Sequence, residues 1–169
     1  MTDRRFVVMG AAGAGKTLIG SRLAGTLGIP FVDGDDHHPP ANVAKMAAGI
    51  PLTDEDRAGW LSALAARLAE ARSRDEGVVV ACSALRRAYR DVLRHGDPDV
   101  RFIHLEARKP LLVERVERRR AHFMPPALVD SQLETLEPPD PDEHAWVYDA
   151  ALPAREILTD LLRRLEAHG

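Results

Sequence analysis

The chain has 169 residues, of which 45% are hydrophobic and 29% charged, and 23 Lys+Arg against 26 Asp+Glu leave a formal net charge of -3. That length suits one domain, spanning residues 1–169, which buries about 70% of its unfolded surface without a disulfide or metal staple. The composition excludes a disordered chain and a bilayer-spanning run, and the charge balance gives no basic footprint for nucleic acid or a membrane surface. Cys82 is the single cysteine, so there is no internal disulfide, and a reducing, cytoplasmic setting is expected. The apolar stretch after Arg4-Arg5 is broken by glycine and runs into Lys16, unlike a signal peptide.

Short apolar runs alternate with longer helical patterns, the signature of βαβ units around a parallel sheet. Strands are predicted at 5–9, 29–33, 77–82, 101–105 and 145–149. A first helix is predicted at 17–27. Thr53, with Asp56 three residues on, caps a second that carries Trp60, Leu61, Leu64 and Leu68 on one stripe. Further helices are predicted at 85–94, at 110–120 with proline in the first turn, at 128–136 and at 153–167. The last places Ile157, Leu158, Leu161, Leu162 and Leu165 at core spacing. The stretches 34–41, 96–100, 121–127 and 137–143 read as irregular, and two of them are rich in His, Pro and acidic residues, as ligand-facing loops often are. The fold class expected from this alternation is a three-layer α/β (αβα) domain. It has a five-stranded parallel sheet and a helical lid at about 115–130.

Gly10-Ala11-Ala12-Gly13-Ala14-Gly15-Lys16-Thr17 fits G-x-x-x-x-G-K-[ST] between a predicted strand and a predicted helix, the context that the motif requires. Its glycines let the backbone curl until the N–H groups point at β- and γ-phosphate oxygens, and the next helix adds its positive end. Lys16 is expected to bridge those phosphates and the Thr17 hydroxyl to ligate Mg²⁺. No Asn-Lys-x-Asp segment accompanies the loop, which argues against a regulatory GTPase, and phosphoryl transfer from ATP to a small acceptor is the economical reading.

Asp33 and Asp35 stand at the end of the second predicted strand, on the rim where α/β sheets bind ligands. One carboxylate positions Mg²⁺ and the other orients or deprotonates the acceptor hydroxyl. The third strand ends at Cys82-Ser83 without an acidic residue, which adds weight to the Asp33/Asp35 pair. Candidate acceptor contacts are His38, Lys45, Arg57, Arg86, Arg90, Arg119 and His122, since a small acid needs planar paired donors. Residues 114–125 join a basic helix to an apolar, proline-stopped loop and read as a lid whose closure excludes water. The seven histidines show no metal-ligand spacing, and Cys82 reads as core filler.

Phe31-Val32-Asp33-Gly34-Asp35, His38-Pro39, Asn42, Lys45-Met46, Gly49, Pro51-Leu52, Asp54, Asp56-Arg57 and Trp60-Leu61 together resemble the gluconokinases of the small P-loop kinase type. The match continues through Cys82-Ser83-Ala84-Leu85-Arg86-Arg87, Tyr89-Arg90-Asp91, His122-Phe123-Met124-Pro125, Ser131-Gln132 and Leu136-Glu137-Pro138. It covers essentially the whole chain. The resemblance implies a P-loop NTPase fold of the nucleoside/shikimate-kinase type and ATP-dependent phosphorylation of D-gluconate on its C6 hydroxyl by a cytoplasmic homodimer. It gives Asp35 the acceptor side, Asp33 with Thr17 the Mg²⁺ side, Arg119 the lid and Arg115 the nucleotide side. Arg57, Arg86 and His122, with His38, Lys45 and Gln132, are the gluconate contacts it suggests. Ala12 and Ala14 replace serines usual in the family's loop, Gly59 replaces a proline, and His37 an apolar residue. The alternatives are another small acid or polyol as acceptor, or a nucleotide sensor without catalysis.

Overall fold

The computed structural model describes residues 4–118, 125 and 127–168. Strand β1 (Arg5–Met9) leads into α1 (Lys16–Leu27), and β2 (Phe31–Asp33) into a 3₁₀ turn (Gly34–His37), α2 (Pro40–Ala47) and α3 (Asp54–Ser73). Then come β3 (Val78–Ala81), α4 (Arg87–Gly96), β4 (Arg101–Glu106), α5 (Lys109–Arg118) and α6 (Ala127–Thr135). A second 3₁₀ turn (Pro141–Glu143), β5 (Trp146–Asp149) and α7 (Ala154–His168) close the chain. The five strands pair in the order β2-β3-β1-β4-β5, every pair parallel. This is the five-stranded parallel sheet anticipated from the alternating pattern.

The central strands β1 and β3 are buried on both faces because helices cover both, whereas the edge strand β5 buries only Trp146 and Tyr148. The pleat sends alternate residues to opposite layers. Phe6 and Val8 face a layer that contains Ile19, Leu23, Ile157 and Leu161, while Val7 and Met9 face Trp60, Leu61, Leu64, Leu68 and Leu93. The Trp60 stripe is buried as its spacing predicts. In α7 only Ile157 and Leu161 of the five stripe residues are fully buried, with Leu158, Leu162 and Leu165 packed at the margin. Among the described residues no helix is long and apolar enough to cross a membrane.

The capping box at α3 is present: Thr53 accepts from the Asp56 backbone and Asp56 accepts from the Thr53 backbone. Segment 34–41, expected to be irregular, instead forms the 3₁₀ turn and the start of α2. Pro39 is the N-cap and Pro40 the first helical residue, where a missing N–H costs nothing and the fixed φ favours the helix. Here the prolines begin a helix instead of breaking one. Strand β2 starts two residues later than expected, at Phe31.

Parallel strands bring their carboxyl ends to one rim. The loops after β1, β2 and β3 therefore meet there, Met9 leading to the phosphate loop, Asp33 to Asp35, and Ala81 to Ser83. Gly34 is required at this rim, since a Cβ on it would stand 2.4 Å from the Ala81 carbonyl oxygen.

Candidate active site

The rim encloses an open cleft. It is lined by Gly13, Gly15, Lys16 and Thr17 of the phosphate loop and by Asp35, His38, Arg57 and Gln132. The turn at Gly13 has φ 88, and a Cβ there would stand 2.9 Å from the Leu112 carbonyl oxygen, so helix α5 backs the loop closely. Lys16 Nζ donates to the Gly10 and Ala11 carbonyls at 2.9 and 3.2 Å, which folds the cation over its own loop. Arg115 braces the outer side: its guanidinium donates to Gly13 O and Ala14 O at 3.3 and 3.2 Å, and to Ala150 O at 2.8 Å. Arg115 thus links the loop to the chain leaving β5.

Thr17 Oγ1 donates to Asp33 Oδ2 at 3.1 Å, and Asp33 Oδ1 accepts from the Asp35 backbone N–H at 3.1 Å. One hydroxyl and one carboxylate therefore sit side by side at the mouth of the phosphate loop. These hard oxygen donors fit Mg²⁺, which keeps most of its shell for water and phosphate oxygens. The second bond fixes the backbone of Asp35, whose side chain lines the cleft.

The acceptor side is built from α2 and α3. His38 stacks on Trp60 with centroids 4.0 Å apart and planes 18° from parallel, and Trp60 Nε1 donates to Gly34 O at 2.7 Å. Asn42, four residues after His38, places Nδ2 2.8 Å from Asp56 O and 3.3 Å from His38 Nδ1. Burial lowers the His38 pKa, with the nearby Asp35 raising and Arg57 lowering it, so the ring is held neutral. Arg57, only 8% exposed, donates through NH1 to Leu52 O at 2.8 Å and to the Tyr89 hydroxyl at 3.0 Å. Tyr89 in turn donates to Asp54, and burial together with that bond pushes its pKa up.

Of the remaining acceptor candidates among the described residues, Gln132 alone lines the cleft. Lys45 pairs with Asp56 at 2.7 Å and is absent from the cleft lining, bracing α2 against the start of α3. Arg86 pairs with Asp54 at 3.6 Å on the margin, also outside the lining. Gln132 reaches from α6 to accept the Ala12 backbone N–H at 2.6 Å. Arg90 is fully buried and serves the fold: it donates to Ala84 O at 2.8 Å and pairs with Glu143 at 2.7 Å. Ala84, with φ 47, holds a left-handed conformation in the loop after β3, and that bond restrains it. Arg119 and His122 lie outside the described residues. Cys82 is buried, and burial pushes its thiol up to about 12, as core filler requires.

A shikimate kinase family model matches residues 12–152. The thermosensitive gluconokinase of Escherichia coli is 46% identical over 85% of this chain and 76% of its own length, and the gluconokinase of Gluconobacter oxydans is 44% identical over 99% and 94%. The chain belongs to the gluconokinase family. The crystal structure of a gluconokinase from Sinorhizobium meliloti superposes with a TM-score of 0.84 at 44% identity, over 99% of this chain and 98% of that one. In this gluconokinase fold, sequence reasoning gave no role to Asn42, Asp54 or Tyr89, although it noted all three. Asn42 carried one legible signal, its place in the family pattern close after His38-Pro39. Asp54 and Tyr89 are 35 residues apart, and only the fold joins them. Of the apolar wall, Met46, Pro51 and Leu52 belong to the family pattern, whereas Leu128 had no signal beyond general hydrophobicity.

Proposed function

We propose that this protein transfers the γ-phosphoryl group of ATP to the C6 hydroxyl of D-gluconate. The observation that carries the reading is one cleft in which the phosphate loop, with Lys16 and Thr17, faces a carboxylate, a histidine and an arginine: Asp35, His38 and Arg57. The phosphate loop and the helix α1 terminus hold the triphosphate, and Lys16 swings from its loop carbonyls to the β- and γ-phosphates. Arg115 keeps the Gly13 and Ala14 carbonyls engaged and so braces the curl of the loop. Arg57 and His38 hold the acceptor, Gln132 reaches it from beside the phosphate loop, and Lys45 and Arg86 act from the margin of the cleft. Asp35 accepts the C6 hydroxyl proton as that oxygen bonds to the γ-phosphorus and the bond to the bridging oxygen of ADP breaks. Thr17 and Asp33 would hold Mg²⁺, which supplies charge neutralisation at the phosphates.

The family resemblance supports the finer parts of the reading: a single kinase domain with a lid at about 115–130 that carries Arg119 and His122, a homodimer, and a cytoplasmic setting. The test is phosphorus NMR of the product formed from Mg-ATP and gluconate. Phosphorus coupled to the two C6 protons is expected; a phosphate on another oxygen would contradict the reading. The same assay on Asp35→Asn should show kcat lowered about 10²–10⁴-fold with ATP affinity little changed. Near-normal turnover would remove Asp35 from the chemistry.

A further inference from the structure

The hydrogen-bond geometry around Asn42 decides the chemistry that His38 offers the cleft. Asn42 is 3% exposed, and one terminal atom of its amide lies 2.8 Å from the Asp56 carbonyl oxygen. A carbonyl oxygen only accepts, so that atom is the NH₂ nitrogen, and the amide has a single sensible orientation. The same nitrogen is 3.3 Å from His38 Nδ1. With one hydrogen committed to Asp56, its second points at Nδ1, and a ring nitrogen that faces an N–H must present its lone pair. In a neutral imidazole the proton then sits on Nε2. Stacking on Trp60, itself tied to Gly34 O, fixes the plane of the ring, and Asn42 fixes its rotation. The charged groups that face the ring are Asp35 from the 3₁₀ turn and Arg57 from α3, of opposite sign.

We infer that Asn42 is a positioning residue that locks His38 as the Nε2–H tautomer, so that His38 donates a hydrogen bond to an oxygen of the acceptor and does not take its proton. The inference rests on the proposed function for the identity of the acceptor, whereas the tautomer itself does not depend on it. Two donors, His38 Nε2–H and the Arg57 guanidinium, then face one carboxylate base. That arrangement suits an acceptor rich in hydroxyl and carboxylate oxygens, and leaves Asp35 to receive the proton.

The test is a long-range ¹H–¹⁵N correlation spectrum of the ligand-free full chain with labelled histidine at pH 7.5, His38 being assigned by its loss in His38→Gln. The expected pattern has a bare Nδ1 and a protonated Nε2. A proton on Nδ1, a doubly protonated ring or averaging between tautomers would overturn the inference, whatever acceptor the enzyme uses. Asn42→Asp replaces the donor with a carboxylate and should move the proton to Nδ1. The KM for gluconate should then rise about tenfold, the loss of one good hydrogen bond, with the KM for ATP little changed. A variant with inverted tautomer and unchanged gluconate KM would also overturn it. If Asn42 served packing alone, the variant would lower the melting temperature and leave the His38 ring shifts in place. Should Asn42→Asp fail to fold, the wild-type spectrum decides alone.

Discussion

His104 sits on β4, paired in register with Met9 and Val147, 1% exposed, and neither ring nitrogen has a hydrogen-bond partner among the described residues. Burial lowers its pKa, with Glu106 raising and Arg90 lowering it, so the folded chain holds the ring neutral. The unfolded chain then binds more protons below the ordinary histidine value near 6.5, and stability must fall as pH drops through that value toward the folded pKa. His38 shares this direction. His104→Leu should therefore stabilise the protein by about 1–3 kcal/mol, by removing unpaired buried nitrogens, and should reduce the loss between pH 7 and 5. Urea unfolding at those two values measures both, and an undiminished slope would show that other groups dominate it. Residues such as His104 expose the limits of the sequence: position in a strand was legible, whereas the absence of a partner depends on what the neighbouring layers bring. The phosphate loop stood at the other extreme, because eight contiguous residues between a strand and a helix carry their own geometry.

The secondary-structure elements were read well where their signals are local. The α3 cap lies within four residues, and each strand is a short apolar run. Helix α2 was missed because Pro39-Pro40 mark a helix start only once the following turn is known to pack. The segment after α6 shows how an irregular element positions chemistry. Glu137 accepts from the Arg87 backbone at 2.9 Å, and Glu143 pairs with Arg90 and Arg94 at 2.7 and 2.5 Å. Arg90 in turn holds the Ala84 carbonyl in the loop after β3. Burial raises the Glu143 pKa, but hydrogen bonds from Arg90 and Arg94 outweigh it and hold the carboxyl at about 2. Its contribution is present above the ordinary carboxylate range and is lost as pH falls toward 2, below the histidine window. Glu143→Gln should cost about 3 kcal/mol in urea unfolding at neutral pH, because it strands the buried Arg90. The released Ala84 loop should also raise the acceptor KM. A loss below about 1 kcal/mol would mean that the arginines find other partners.

At the level of the whole chain, the strand order β2-β3-β1-β4-β5 makes the active-site cleft. It sets the loops after β1, β2 and β3 side by side, so residues near 13, 35 and 83 converge although the sequence separates them widely. The alternating pattern was enough to anticipate five parallel strands. Which acceptor candidates would meet was less legible, because surface arginines and lysines look alike until their partners are known. Arg57 turns inward to Tyr89, whereas Lys45 and Arg86 pair with Asp56 and Asp54. The reading as a whole stands on acceptor choice. ADP release from Mg-ATP, measured with gluconate, shikimate, glucose, glycerate and AMP offered one at a time, should be rapid with gluconate alone. Equal release with a second acceptor, or none with any of the five while ATP still binds, would contradict it.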